Sequence, residues 1–220
     1  MSEEWKVSVG DETTTAAFDP ADDASTIFVF AHGAGGSMSD RGMLSLSRAL
    51  GQKGLSIVRF NFLYKEKGSG RPDPMPRLEK TFEAVVSHVR GKLSPKKLLI
   101  GGRSMGGRAG SMMASKGYDC DGLLLFAYPL HPAGQPEKLR DAHLPSIKVP
   151  VLCFNGTRDA LCTPELMEKA LAPAHTRWEM RWIEGADHSF HVLKSSGRTD
   201  AQVQEEIAAE TMTWISALED

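Results

Sequence analysis

The chain has 220 residues, of which 41% are hydrophobic and 25% are charged, with a formal net charge of −2. This near-neutral balance gives no electrostatic reason to expect binding to nucleic acid or to a membrane surface, and the length predicts one domain spanning residues 1–220. The first residues, MSEEWKVSVGDETTT, resemble no secretory signal, and no apolar run reaches the roughly 20 residues of a membrane span. We therefore expect a cytoplasmic protein, and the sequence leaves open whether it is a monomer or a homodimer.

Six apolar runs in chain order predict six buried strands. Runs of β-branched and aromatic residues of this length are typical of strands covered on both faces, as in a parallel sheet. A hairpin around Trp5–Val9 and Thr13–Phe18 is predicted at the sheet edge. The six runs are STIFVFAHG ending near Ala31, Leu55–Phe62, KKLLIGG, GLLLFAYP, VPVLCFNG and Thr176–Gly185.

Segments with helical periodicity separate these runs. An apolar face from Leu78 to Leu93 predicts a helix with Pro76 as its first residue, and Thr163 is a capping residue for a helix that starts at Pro164. The last predicted helix has one apolar face formed by Val203, Ile207, Thr211, Trp214, Ile215 and Leu218. This alternation predicts an α/β fold, a doubly wound and mostly parallel sheet flanked by helices.

The stretch GGRSMGGR, Gly101 to Arg108, places a serine between a predicted strand and a predicted helix, Met105 to Lys116. Within it, G-x-S-x-G in this context is the nucleophile elbow, a tight turn that exposes the serine hydroxyl. Ser104 is therefore the candidate nucleophile, and the N–H of Met105 is a candidate oxyanion donor. The alternative is a glycine-rich turn or phosphate cradle with an incidental serine, although no lysine completes a phosphate-binding loop.

A serine nucleophile needs a base and an acid, and each follows a later predicted strand. Asp159 follows the strand that ends near Asn155, and His188 follows the one that ends near Ile183. This is the order of serine, acid and histidine expected for such a site. Asp187, adjacent to His188, is the competing acid, and Glu66 is a weaker candidate.

The loop FAHGAGG, Phe30 to Gly36, follows the first central strand, where a second oxyanion donor belongs. We expect the N–H of Ala34 to be that donor, with Gly35 as the second choice. His32 in this loop is expected to fix the loop rather than to act as a base.

The chain has three scattered cysteines, Cys120, Cys153 and Cys162. They form no C-x-x-C pair, so we expect small core residues rather than a metal or redox site. A site built on a serine, a histidine and an aspartate requires no metal and no organic cofactor.

The elbow, the HGAGG loop, NGTRD and GADHSF together make the chain similar to serine α/β-hydrolases over nearly its whole length. The resemblance is greatest to small lidless members, the dienelactone-hydrolase-like enzymes, and to a branch containing a testis-expressed vertebrate protein and the hydrolase-like domain of a chromatin-complex subunit. It implies acyl transfer from an ester or thioester to water. Dienelactone hydrolases carry a cysteine nucleophile where this chain has Ser104, so their substrate does not transfer. The competing hypothesis, which the chromatin subunit supports, is a weak or inactive hydrolase fold kept for protein interaction.

The region from about Pro129 to Val149 is too short for a lid, and PEKLRDAHL within it predicts one short helix. We therefore expect a small or exposed substrate. Arg103, Arg71 and His131 are candidate substrate contacts, and an arginine at the cleft favours a carboxylate or phosphate group. The alternative is that Arg103 and its neighbour Arg108 form structural ion pairs with acids such as Asp121 or Glu137.

Overall fold

The computed structural model describes residues 2–22, 25–174 and 177–218. The described residues form one sheet of eight strands, with helices on both of its faces. The strands are β1 (Glu3–Val9), β2 (Glu12–Asp19), β3 (Thr26–Ala31), β4 (Ser56–Phe60), β5 (Lys97–Arg103), β6 (Gly122–Phe126), β7 (Val151–Gly156) and β8 (Trp178–Ile183). The helices are α1 (Arg41–Gln52), α2 (Leu63–Glu66), α3 (Met75–Leu93), α4 (Met105–Ser115), α5 (Pro164–Leu171) and α6 (Asp200–Ser216).

The strand order is β1-β2-β4-β3-β5-β6-β7-β8. The β1–β2 and β2–β4 pairs are antiparallel, and every later pair is parallel, so β3 to β8 end at the same edge of the sheet. Loops that follow parallel strands meet at this edge, which is where α/β folds place their sites.

Two hydrophobic cores lie on opposite faces of the sheet. On one face, side chains of α3, α4 and α5, such as Phe82, Met113 and Met167, pack against the strands. On the other, Met43 and Leu50 of α1 and residues of α6 do the same. Strand residues covered on both faces explain the continuous apolar runs of the central strands.

The predicted fold class is confirmed, as are the edge hairpin and the central strands. The helix predicted from Leu78 begins at Met75, one residue before Pro76, and the predicted apolar face of the last helix is buried in α6 through Ile215. The last predicted strand began at Thr176, which lies outside the described residues. The single domain over residues 1–220 stays a prediction.

The short helix predicted from PEKLRDAHL is wrong. The segment forms turns, followed by a 3-10 turn at Leu144–Ser146. The N–H of Arg140 donates to the carbonyl of Leu130 at 2.7 Å, and that carbonyl lies outside the segment. A helix would instead need the bond to run four residues back, to Pro136. Along the described residues, no helix is long and apolar enough to cross a membrane.

Candidate active site

Ser104 lies in a tight turn between β5 and α4, with φ of 51° and ψ of −117°. This is a backbone conformation that residues other than glycine rarely adopt. The turn is held by the Ser104 N–H, which donates to the carbonyl of Phe126 at 2.9 Å. A Cβ at Gly102 or Gly106 would lie 2.3 or 2.5 Å from the carbonyl oxygen of Ala31. Both glycines are therefore required by the close approach of β3.

Three side chains are joined by hydrogen bonds at this turn. Nε2 of His188 lies 2.9 Å from Oγ of Ser104, and Nδ1 of His188 lies 2.8 Å from Oδ2 of Asp159. Because a carboxylate only accepts, Nδ1 of a neutral imidazole carries the proton and Nε2 is free to accept from the serine hydroxyl. The structure thus brings together the three residues that the sequence analysis singled out.

Asp159 is held by a buried set of donors. Its side chain is 0% exposed, and its Oδ1 accepts from the N–H of Leu161 at 2.8 Å. Its Oδ2 also accepts from Nδ2 of Asn155 at 3.2 Å, and the same amide pairs with both backbone groups of Tyr128. Sequence analysis missed Asn155, although a buried amide at the end of the apolar run VLCFN was a signal for such a role.

The carboxylates of the two competing acids, Asp187 and Glu66, accept hydrogen bonds from other groups. Oδ1 of Asp187 accepts from the N–H groups of Ser189 and His191, at 2.7 and 3.1 Å. Glu66 accepts from the N–H and hydroxyl of Thr15 and from Nδ2 of Asn61, beside the N-terminal hairpin. Asp187 therefore caps its own loop, and Glu66 links α2 to β2.

The loops that carry Asp159 and His188 are joined by a backbone–backbone hydrogen bond and a bond to a side-chain hydroxyl. The N–H of Arg158 donates to the carbonyl of Ala186 at 2.9 Å, and the N–H of Gly185 donates to Oγ1 of Thr157 at 2.9 Å. A Cβ at Gly156 would lie 2.1 Å from that same Ala186 carbonyl oxygen. The close packing fixes the base loop on the acid loop and requires glycine at position 156.

The serine opens into a cleft of about 200 Å³. Ala34 lines it, and Met105 is the first residue of α4, where backbone N–H groups lack partners within the helix and carry partial positive charge. Gly35, the second choice as a donor, has φ of 72°, and its carbonyl accepts from Lys65. The lining residues are Gly33, Ala34, Gly36, Asp40, Met43, Arg103, Ser104 and His188.

His32 is buried behind this loop and links it to the segment between β4 and α2. One ring nitrogen, Nδ1, lies 2.8 Å from the carbonyl of Gly33, and the other accepts from the N–H of Phe62 at 3.2 Å. Burial lowers the pKa of His32 to about 4, so the ring is neutral at pH 7. The expectation that His32 fixes the loop is confirmed.

A family model described as an alpha/beta hydrolase domain matches residues 24–216. The chain belongs to the alpha/beta hydrolase family. The matched region contains the elbow, the acid loop and the base loop, so the triple of hydrogen-bonded side chains lies inside the shared domain.

Solved structures similar to this hydrolase-family chain share its fold. An alpha-beta serine hydrolase homologue from Coxiella burnetii is 22% identical, with a TM-score of 0.77 over 94% of this chain and 96% of that one. A serine hydrolase without lid from Xanthomonas campestris is 21% identical, with a TM-score of 0.75 over 97% and 94%. A dienelactone hydrolase from Anabaena variabilis is 22% identical, with a TM-score of 0.73 over 96% and 97%. The predicted resemblance to lidless, dienelactone-hydrolase-like proteins is confirmed.

Arg103 lies in the cleft of the hydrolase domain and packs against both the base loop and α1. Nη2 of Arg103 donates to the carbonyl of His188 at 3.3 Å. Nη1 lies against α1, since a Cβ added at Gly42 would be only 2.8 Å from it. Burial lowers the pKa of Arg103, while the nearby carboxylates of Asp187 and Asp40 act in the opposite direction. Arg103 therefore supports the backbone of His188 and also lines the cleft at Ser104.

The other two candidate contacts lie outside this cleft. Arg71 is exposed on its loop. The loop itself lies near Gly35, because a Cβ added at Gly35 would be 3.8 Å from the carbonyl oxygen of Gly70. His131 is only 3% exposed, and its Nδ1 pairs with the carbonyl of Pro132 at 2.9 Å. The backbone N–H of His131 also donates to the carbonyl of Leu161 at 3.1 Å, and His131 is not among the residues that line the cleft, so the prediction that it faces the mouth is wrong.

The three cysteines are buried and free. Burial raises the pKa of Cys120 and of Cys162 to about 12, and it raises the pKa of Cys153 well above the ordinary value of a thiol. Their thiols are therefore protonated and unreactive at neutral pH. Over the part of the chain that the structure describes, no group of three or more His, Cys, Asp or Glu side chains is arranged to hold a metal ion.

Proposed function

We propose that this chain is a serine hydrolase that cleaves an ester or thioester bond of a small substrate through an acyl-enzyme. The observation that carries the proposal is the unbroken chain of hydrogen bonds from Ser104 to His188 to Asp159, with distances of 2.9 and 2.8 Å. Membership of the alpha/beta hydrolase family supports it.

In the first half of the proposed reaction, Oγ of Ser104 attacks the carbonyl carbon of the substrate. Nε2 of His188 takes the hydroxyl proton and then gives it to the leaving alcohol or thiol. Asp159 keeps the proton of Nδ1 in place and stabilises the imidazolium that forms. In the second half, His188 takes a proton from water, the hydroxide attacks the acyl-enzyme, and Ser104 leaves with its proton restored.

Negative charge develops on the carbonyl oxygen in both halves. We assign its stabilisation to the N–H groups of Met105 and Ala34, with Gly35 as the alternative to Ala34. The start of α4 supports this assignment, since its free N–H groups favour negative charge.

The dimensions of the site favour a small substrate. The cleft at Ser104 holds about 200 Å³, which is below the roughly 300–1,000 Å³ of ordinary ligand pockets, and is lined by glycines and polar residues as well as Met43. Arg103 in this cleft is the better of the two arginine candidates for a substrate contact, and Arg71 is the more remote. A free small molecule, rather than nucleic acid or a membrane, is the partner we propose.

A fluorophosphonate probe tests the proposal, because it labels only a serine activated by its neighbours. We expect stoichiometric labelling of the purified chain and none of Ser104→Ala, which also loses on the order of a millionfold in kcat toward nitrophenyl acetate. Ser115→Ala, at the far end of the same helix α4, is the matched control and keeps both.

Absence of labelling in the wild-type chain, or a tenth of wild-type turnover in Ser104→Ala, would contradict the proposal and favour the interaction-module hypothesis. A panel of matched esters, thioesters and amides then identifies the bond that is cleaved.

A further inference from the structure

Strand β8 lies at one edge of the sheet, and among the described residues no strand pairs with its outer side. The carbonyls of Arg177 and Ile183 accept hydrogen bonds from the β7 side, at 2.9 and 3.1 Å. Successive residues of a strand direct their backbone N–H and C=O groups to opposite sides, so every second residue between these two directs its groups away from β7. We call these the edge residues: Trp178, Met180 and Trp182.

The two faces of β8 differ in chemistry. The side chains of the edge residues are apolar and pack, partly buried, on the face that carries α5. The other face carries Glu179 and Arg181, whose side chains pair with each other at 2.9 Å. Nε of Arg181 also lies 2.8 Å from Glu210 in α6. An edge with open backbone groups, apolar side chains and balanced charges is a template for another strand.

The sequence of this strand is complementary to itself when two copies run in opposite directions. From Trp178 to Trp182 it reads Trp-Glu-Met-Arg-Trp. If a two-fold axis passes through Met180, this methionine faces its own copy, and Trp178 faces Trp182 of the second copy. Glu179 then faces Arg181 of the second copy, and the symmetry creates this pair twice. Opposite charges directly across two antiparallel strands stabilise their pairing.

The backbone pattern agrees with the same alignment. Antiparallel strands alternate between opposed residues that exchange two backbone hydrogen bonds and opposed residues that exchange none. With the axis at Met180, all edge residues oppose edge residues and exchange hydrogen bonds. Glu179 and Arg181 fall at the positions without hydrogen bonds, where the strands approach to about 4.5 Å between Cα atoms and the side chains are closest. This alignment therefore satisfies every outward backbone group of the edge residues.

Neighbouring alignments are unfavourable. Moving the axis by one residue still allows backbone hydrogen bonds between edge residues. An axis at Glu179, however, places that carboxylate opposite its own copy, and an axis at Arg181 does the same for the guanidinium. Like charges directly opposite each other are destabilising. The charge pattern of β8 therefore selects the alignment centred on Met180.

An apolar groove of about 410 Å³ flanks the edge on the face that carries α5. A two-fold axis perpendicular to the sheet keeps the α5 faces of both copies on the same side. Trp178 of the second copy, opposite Trp182, would then lie beside this groove. Aromatic residues and methionine are enriched in protein interfaces, and their burial would add to the backbone hydrogen bonds. The groove is lined by Pro164, Met167, Glu168, Leu171, Ala172, Met180 and Trp182.

We propose that two copies of this chain form a two-fold symmetric dimer through antiparallel pairing of their β8 strands about Met180. The pairing joins the two eight-stranded sheets into one continuous sheet. The dimer follows from the edge of the sheet alone and does not depend on the proposed hydrolase function.

Sedimentation velocity of the full chain tests the proposal by charge reversal. We expect the wild type to dimerise, and we expect Glu179→Arg and Arg181→Glu each to raise the dissociation constant at least about tenfold, because each places like charges opposite each other. An equal mixture of the two variants is expected to form a heterodimer, because every opposed pair is again of opposite charge. Glu4→Arg, a matched reversal at an exposed position of the other edge strand, β1, is expected to leave the dissociation constant unchanged.

Amide hydrogen exchange of the wild type is the second measurement, and it remains informative if a variant does not fold. Exchange is compared above and below the dissociation constant. The N–H groups of the edge residues are expected to exchange more slowly in the dimer, because only there do they have partners across the edge. The N–H groups of Glu179 and Arg181, which face β7, are expected to be protected in both states.

A wild-type chain that stays monomeric up to about 100 μM overturns the proposal and leaves the edge to solvent or to an extended segment of another protein. A dimer that both charge-reversed variants retain, or a mixture of them that stays monomeric, also overturns it. The same holds if the edge residues exchange equally fast in monomer and dimer, because the interface is then elsewhere.

Discussion

At the scale of single residues, the position of an acid matters more than its distance along the chain from the histidine. Asp187 adjoins His188 in sequence, yet its carboxylate caps the loop through the N–H groups of Ser189 and His191. Asp159 is 29 positions away and accepts from Nδ1 of His188. The fold brings them together because their strands, β7 and β8, are parallel neighbours.

The two acids give opposite expectations when each loses its charge. Asp159→Asn is expected to lower kcat by about 10⁴. The amide can donate a hydrogen bond to Nδ1, whereas the carboxylate accepts one, and this change disfavours the reactive tautomer of His188. Asp187→Asn keeps an oxygen for capping the loop and is expected to lower kcat less than about tenfold. Steady-state kinetics on nitrophenyl acetate measure both, and the reverse ranking would show that Asp187 is the acid.

His32 predicts a pH dependence of stability. Its pKa is lowered to about 4 from 6.5 by burial, so the unfolded chain binds more protons in this range and stability falls as pH falls from about 6.5 to about 4. One such group contributes a slope of up to about 1.4 kcal/mol per pH unit. We expect His32→Gln to be less stable than wild type at pH 7.5, yet to lose less stability on acidification, as measured by urea unfolding.

A second histidine serves as the control. The exposed ring of His191 pairs with Asp200, which raises the pKa of His191. Its stabilising contribution is therefore present at low pH and is lost as pH rises, so His191→Gln is expected to steepen the loss on acidification. If the free energy of unfolding changes equally with pH in His32→Gln and in wild type between pH 6.5 and 4, the buried neutral state of His32 does not cause the pH dependence.

At the scale of elements, helix α4 approaches β3 so closely that its second residue cannot carry a side chain. We expect Gly106→Ala to destabilise the fold by about 1–3 kcal/mol, since a methyl group there would sit 2.5 Å from the Ala31 oxygen. It should also lower kcat, because any shift of α4 moves Ser104 and Met105. Urea unfolding and turnover measure the two effects.

Helix α1 provides a matched glycine with free space around it. A Cβ at Gly51 would meet nothing within 4 Å, so Gly51→Ala is expected to be neutral or stabilising by up to about 1 kcal/mol. Equal effects of the two substitutions would mean that contact with β3 does not restrict α4.

Elements with a strong local signal could be predicted from the sequence, and those fixed by tertiary contacts could not. The apolar runs that became β3 to β7 need only burial on both faces, and Thr163 and Pro164 mark the start of α5 by their own chemistry. The segment PEKLRDAHL has helical composition, but Tyr128 and Leu130 bind the backbone of Arg140 and hold it in another conformation. No local pattern encodes such a contact.

The same distinction applies to the candidate site. Ser104, Asp159 and His188 could be predicted because each follows a strand in an order that the fold requires. His131 also follows a strand, yet it is buried, because sequence gives the end of a strand but not the direction of the side chain beyond it. The support that Asn155 gives to Asp159 likewise depends on two neighbouring strands, which only the structure brings together.

At the scale of the whole molecule, the connection from β6 to β7 is too compact to cover the active site. The described residues 127–150 form turns that pack against α4, and they contribute no residue to the lining of the cleft at Ser104. Little apolar surface is therefore available to shield a long acyl chain from water.

This openness predicts the chain-length preference. We expect kcat/KM to be higher for acetyl and butyryl nitrophenyl esters than for the dodecanoyl ester, because the methylenes beyond the cleft remain in water and add no binding free energy. Assays below the critical micelle concentration of the dodecanoyl ester measure the three values. A preference for the dodecanoyl ester would contradict the proposal of a small substrate.

Because the loops after β7 and β8 are joined to each other, Asp159 and His188 are best exchanged together when two related chains are combined into a chimaera. Backbone atoms join them at Arg158, Ala186 and Gly156, so substitutions elsewhere in either loop can accumulate without separating them. A hybrid that takes residues 151–192 from one parent inherits the acid, the base and the joint between them. A crossover between β7 and β8 instead pairs loops that have never packed against each other. In designing chimaeras of this chain, the boundaries therefore belong before Val151 or after Val192, where the bridge to Ala186 closes the base loop.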